Sequence, residues 1–229
     1  MEYCDSEMLN RAMATAGHRN GYEDITAEFS AFRDFKLKWT RSYKWISFEV
    51  SDYLRNAPQN VIESLAETVF AKIGGQDKTG YSEEVCEYLS SERFLRDNQD
   101  LFLKRFRGIS QTTCGENVDL AEVYMRLVDR GLVKRDPSLV IRWGASNRTD
   151  CRIGHSSVLM KTIIVNPKLD TEDISENALD FALYTQICRV NLGFGNNREE
   201  DPERFETMLS AYPDRTQVMQ ELRRLQVEI

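Results

Sequence analysis

Histidine is almost absent from this chain: His18 and His155 are its only two. A zinc site built from three histidines therefore cannot form within one copy. Cys-x-x-Cys is missing as well. The five cysteines, Cys4, Cys86, Cys114, Cys151 and Cys188, are odd in number and widely spaced, which fits reduced structural thiols better than a disulfide framework. No Gly-rich phosphate loop occurs. Gly193-x-Gly195 follows a helical pattern instead of a strand, so it is no dinucleotide fingerprint. No apolar run approaches the length of a membrane span, and the stretch Met1 to Met8 is acidic and polar, unlike a secretory signal. Together with a net charge of −7, these absences point to a soluble, cytoplasmic protein with no membrane association, no cofactor and no metal. A hydrophobic content of 41% is still enough to build a core.

What is present alternates between helical and strand patterns, and the expected class is α+β, with helices packed on small sheets. A first helix is expected from Ser6 to Thr15, with Gly17 and Gly21 as breakers, then a short helical stretch near Ala27 to Phe35. Residues 46–50 alternate apolar and polar, as a strand does. Asn56, with Gln59 three residues on and Pro58 between, has the form of an N-cap and capping box for a helix that runs to Ile73 and stops at Gly74-Gly75. Helices follow from Ser82 to Leu89 and on to Phe106. Residues 108–118 are rich in turn formers, so the expected division is 1–108 and 109–229. In the second half, Asp119 to Arg130 has a helical apolar face, Val140 to Trp143 and 162–166 have strand character, and 151–160 is strand-like around a turn at Gly144 to Asp150. Asp173, with Glu176 three residues later, is the expected cap of a helix over Ala178 to Leu192, ended by Gly193. Its apolar residues Ala178, Phe181, Ala182, Thr185, Cys188 and Leu192 fall on one side. Two last helices are expected over Pro202 to Leu209 and Thr216 to Val227.

The halves share a pattern. A shift of 117 residues carries Asn56 onto Asp173, Gln59 onto Glu176, Leu65 onto Ala182 and Thr68 onto Thr185. A shift of 115 carries Phe48 onto Ile163, Val50 onto Val165 and Leu54 onto Leu169. A two-residue loop insertion reconciles the two. Either the chain is a duplication, or two ordinary strand-plus-helix units happen to align.

From Asp119 onward the order of features resembles the SprT-like and minigluzincin families of zinc metallopeptidases. The resemblance covers residues 119–213. It is carried by Trp143-Gly144, Arg152-x-Gly154, the strand 161–166 ending in Leu169-Asp170, and the helix that follows. In those families that helix carries His-Glu-x-x-His and a later helix supplies a third ligand. Here Thr185 and Arg189 stand at the two histidine positions and Gln186 at the glutamate position, while Asp201 loosely matches the third ligand. Threonine and glutamine are poor zinc ligands and arginine is none. A neutral amide cannot activate a metal-bound water. The resemblance thus implies a zincin-like fold with its metal chemistry lost, a pseudoenzyme, and a second degenerate copy over residues 32–108, where Thr68, Val69 and Lys72 hold the same spacing. Arg189 is expected either to take the vacated metal position and pair with Asp201, Glu199 or Glu200, or to extend to solvent.

Residues 32–45 interleave Phe32, Phe35, Trp39, Tyr43 and Trp45 with Arg33, Lys36, Lys38, Arg41 and Lys44, against one acid, Asp34; Lys104, Arg105 and Arg107 form a second basic cluster. Rings beside cations suit single-stranded nucleic acid. SprT-like relatives include DNA-associated proteases, which points the same way by analogy. The competing reading makes the rings core and the cations a solvated face. His155 has no partner at catalytic spacing and reads as structural. Three functions follow: a non-catalytic protein that binds another protein, a nucleic-acid-associated protein using residues 32–45 and 104–107, and an enzyme whose site has no recognisable constellation.

Overall fold

A computed structural model of the chain describes residues 5–76, 80–145, 152–195 and 201–225. Cys4, Cys151, Glu199, Glu200, most of the expected 144–150 turn and the end of the last expected helix lie outside them. The chain divides into two compact units, Met1–Arg105 and Phe106–Ile229, where the sequence placed the boundary at 108/109. Each unit is α+β, with helices beside a three-stranded mixed sheet.

In the first unit, helix α1 (Ser6–Arg19) starts where the Asp5 carboxylate accepts the Met8 N–H at 2.8 Å. Leu9, Ala12, Met13 and Ala16 give it one buried side. The helix does not stop at Thr15. Gly17 lies inside it, at a close approach where a Cβ would stand 2.7 Å from Ile25 Cγ1. The break comes at Gly21, whose φ of +86° suits glycine. The short helix expected near Ala27 to Phe35 is instead strand β1 (Asp24–Ser30). Ile25, Ala27 and Phe29 alternate with polar residues, and that period-two signal outweighs local helix propensity. Strands β2 (Leu37–Arg41) and β3 (Trp45–Ser51) complete a sheet of order β1-β3-β2. β1 runs parallel to β3 and β2 antiparallel to it, so that Ala27 and Trp39 both oppose Phe48.

A 3₁₀ turn at Asp52–Leu54 leads to helix α2 (Gln59–Ile73). Asn56 does not cap it. The N-cap is Pro58, and the Asn56 amide donates to Asp97 at 3.3 Å. Val61, Ile62, Leu65, Ala66, Val69 and Phe70 are buried on α2, and the Phe70 ring meets Phe48 edge-on at 5.3 Å. Helices α3 (Glu83–Leu89) and α4 (Glu92–Arg105) follow. Arg105 at the end of α4 pairs with Asp52 at 2.5 Å.

The second unit repeats this succession. Helix α5 (Leu120–Asp129) is capped by Asp119, and strands β4 (Val140–Trp143), β5 (Gly154–Ser157) and β6 (Thr162–Val165) form a sheet of order β4-β6-β5. β4 is parallel to β6 and β5 antiparallel. The strand character expected over 151–160 is thus confined to 154–157 among the described residues. A 3₁₀ turn at Pro167–Leu169 leads to helix α6 (Glu176–Leu192), and helices α7 (Pro202–Ser210) and α8 (Arg215–Arg224) close the unit. The cap of α6 is Ser175, whose hydroxyl accepts the Ala178 N–H at 3.2 Å; Asp173 lies two residues too early. Both expected caps are displaced by two residues in the same direction, so Pro58 and Ser175 keep the 117-residue offset.

Helix α6 is not amphipathic in its setting. Every residue from Ala178 to Cys188 is buried, because α5, β5, β6, α7 and α8 all pack on it. The core of this unit gathers Val123 and Leu127 of α5, Ile141 and Trp143 of β4, Ile163 and Val165 of β6, and Phe181, Ile187, Tyr212 and Leu222 around it.

Candidate functional site

The positions singled out on α6 are occupied by side chains engaged in the fold. Thr185 is fully buried and donates its hydroxyl to the Phe181 carbonyl at 2.8 Å. This bond to the preceding turn uses up the group's one proton. Gln186 is buried at 3% exposure. Arg189 is exposed, with its guanidinium carbon 5.1 Å over the Phe205 ring of α7. Packing, and then the charge of Arg152, hold its pKa below the ordinary arginine value. The expected pair with Asp201 does not form. Asp201 is the N-cap of α7 and accepts the Arg204 N–H at 2.9 Å. Among the described residues no three His, Cys, Asp or Glu side chains converge as metal ligands.

The first unit has the same arrangement at the same offset. Thr68 on α2 is buried and donates to the Ser64 carbonyl at 2.9 Å. Val69, in the place of Gln186, is buried in the core. Lys72, in the place of Arg189, stands with its Nζ 4.5 Å over the Tyr81 ring. In each unit a cation one turn after a back-bonded threonine covers an aromatic ring supplied by the chain that follows. A cation over a ring face is favourable without any counter-ion.

An ionic cluster that the sequence reading missed lies one turn earlier on α6. The Asp180 carboxylate, 3% exposed, accepts from Arg126 Nη2 of α5 at 2.7 Å and from Nη1 of Arg130, the C-cap of α5, at 3.1 Å. Arg130 also donates to the Tyr212 hydroxyl at 3.3 Å, and that hydroxyl lies 2.8 Å from Asn177 Oδ1. The pair ties α5 to α6 and to the turn before α8. The available signal was Arg126 and Arg130 at i, i+4 on the polar side of an otherwise apolar helix. Burial pushes the Cys188 thiol on α6 up to about 11, which makes it a poor nucleophile.

A second carboxylate organises a loop. Asp170, from the Leu169-Asp170 turn, accepts the N–H groups of Glu116, Asn117 and Val118 at 2.5, 2.9 and 3.0 Å. Gly115 sits so close that a Cβ there would meet Asp170 Oδ2 at 2.3 Å. The turn-rich segment 108–118 is therefore held within the second unit.

The basic-aromatic segment divides between the two readings. Phe32 is buried, and Phe35 meets Phe94 edge-on at 6.3 Å. Arg33 pairs with Asp34 at 2.8 Å and Lys44 with Glu23 at 2.7 Å. Arg41 donates to Tyr22 Oη and to the Ile73 carbonyl, both at 3.2 Å, which closes the C-terminal end of α2. Arg105 donates to Asp52 and to the Phe32 carbonyl. Lys104 and Arg107 are exposed. Lys36 and Lys38 lie over the Phe32 ring at 4.7 and 5.0 Å and make no ion pair among the described residues. Trp39, Tyr43 and Trp45 are 45%, 90% and 42% exposed. His155 on β5 stacks beside Phe106 at 5.7 Å, a packing role.

No family model, no curated protein and no solved structure matches the chain. No helix among the described residues is long and apolar enough to cross a membrane.

Proposed function

We propose that the chain is a non-catalytic protein-binding scaffold, built from two copies of a zincin-like α+β unit whose metal positions have been converted to packing. The observation that carries this reading is the matched fate of those positions. At the threonine, its neighbour and the cation one turn on, α2 and α6 spend their side chains in the same way: on a bond to the preceding carbonyl, on burial, and on cover for a following aromatic. The identical strand order and directions of the two sheets support duplication. None of the three side chains on α6 can hold a zinc ion and activate water on it.

Elemental analysis of purified protein checks the reading. Zinc is expected well below one equivalent per chain after dialysis, with no hydrolysis of unfolded casein when zinc is added back. One equivalent of chelator-removable zinc accompanied by peptide-bond hydrolysis would overturn it.

A further inference from the structure

β2 is an outer strand of the first sheet, and its edge is open. Ser42 donates to the Trp45 carbonyl and Ser51 to the Lys36 carbonyl. These bonds, with the register Leu37 opposite Val50 and Trp39 opposite Phe48, place the β2–β3 hydrogen bonds at the even-numbered residues of β2. The N–H and C=O groups of Leu37, Trp39 and Arg41 therefore point away from β3. Such an edge is a template for a further strand unless it is covered or blocked. Within the first unit, no described residue blocks it: Lys38 to Arg41 are all exposed, and β2 has neither proline nor a bulge. A groove of about 350 Å³ lies over β2 and its neighbour β3, lined by Leu37, Lys38, Trp39, Thr40, Ser47 and Glu49.

The chemistry around this edge is uneven. Trp39, Tyr43 and Trp45 are three of the four large hydrophobic side chains most exposed among the described residues, and they fall within seven positions. Lys36 and Lys38 have no carboxylate partner among the described residues, and Arg41 donates to uncharged oxygens. Glu49 is the one acid lining the groove. A second copy of β2 would bring like charges together, so self-pairing is disfavoured.

We infer that β2 docks an extended acidic segment of a partner protein as a fourth strand, with an apolar side chain against Trp39 on one face and carboxylates facing Lys36 and Lys38 on the other. This names the partner class for the protein-binding reading above and rests on it. Single-stranded nucleic acid would use the same rings and cations, but it has no use for the two-residue repeat of free backbone groups at 37, 39 and 41.

The test is fluorescence anisotropy with the full chain and a labelled octapeptide of alternating glutamate and valine. Binding is expected, weakening as salt rises. It should be lost with lysine in place of glutamate, fall at least about tenfold in Trp39→Ala, and fall severalfold in Lys36→Gln with Lys38→Gln. N-methylation of every second peptide nitrogen should abolish binding in one phase and leave it in the other, because only one set of amides faces β2. Circular dichroism shows that each variant is folded; the lysine pair, being exposed, remains informative if Trp39→Ala is not. The inference is overturned if the octapeptide does not bind, if both methylated phases behave alike, or if a twelve-residue oligothymidylate binds while the octapeptide does not. Failure of peptide binding in zinc-free, inactive protein removes only the docking edge. Zinc with peptide hydrolysis removes the scaffold reading itself.

Discussion

Asp180 shows how much a single residue carries in the second unit. Its carboxylate is withdrawn from water and neutralised by two guanidinium groups that keep about a third of their own surface exposed. Removing one partner of a buried pair costs more than the pair contributes, since the remaining charge is left uncompensated. Arg126 and Arg130 can turn partly to solvent, which holds the loss to the lower part of the usual range. Asp180→Ala is expected to lower stability by about 3 kcal/mol in urea unfolding, and a loss under about 0.5 kcal/mol would show that the cluster is not a tie. Asp136 gives the pH counterpart. Burial raises its pKa, but Lys161 at 2.8 Å and the donors of Ser138 outweigh that and hold it below the usual aspartate value. A depressed folded pKa means stability that is complete above the unfolded value, about pH 4, and is lost as pH falls through the folded value. Asp136→Asn should therefore be less stable than the parent at pH 7, with the gap closing in acid. A gap that stays constant from pH 7 to pH 3 would contradict this.

At the scale of elements, the Asp170 carboxylate is the anchor of the segment that enters α5. Three backbone N–H groups converge on it, and hydrogen bonds to an ionised acceptor are among the stronger ones. Asp170→Ala should cost about 2 kcal/mol and raise hydrogen exchange at Glu116, Asn117 and Val118 above that of β6; unchanged exchange there would refute the anchor. Elements with a strong period were legible in the chain. β3, α2, α5, β4 and β6 lie where alternation or helical spacing places them. β1 was missed because the expected helix was begun at Ala27, which left out the Ile25, Ala27, Phe29 alternation that pairs with β3. The caps were misplaced because Asn56 and Asp173 have good capping chemistry, yet Asn56 is drawn to Asp97, and Ser175 has Glu221 to hold its N–H and hydroxyl at 2.6 and 2.7 Å. Helix α6 looked one-sided because Asp180 and Gln186 are polar. Their burial depends on partners, chiefly α5, that are distant in sequence. The spacing of Thr185, Gln186 and Arg189 was visible from residues alone, but the ring beneath Arg189 belongs to another helix and was not. The open edge of β2 was equally hidden, since only strand order distinguishes an outer strand from a central one.

At the scale of the molecule, the offsets between the two units are informative because they change where loops intervene and hold within elements. Asp5 and Asp119 cap α1 and α5, and Gly17 and Gly131 follow at the same distance. β1 and β4 keep that offset through their partners, with Ala27 against Phe48 and Ile141 against Ile163. The offset then shifts by one residue at β3 and β6, and by two more at α2 and α6. Slippage confined to connections is what duplication followed by loop change would leave behind. Each unit has its own sheet and compact packing, as a domain that folds by itself does. The second unit, of about 120 residues, is of ordinary domain size. A fragment of residues 106–229 is therefore expected to unfold cooperatively in urea, with a midpoint that responds to Asp180→Ala as the full chain does. If the fragment is instead a collapsed species with no cooperative transition, the unit is not autonomous, and the matched offsets would need an origin other than the doubling of a self-sufficient domain.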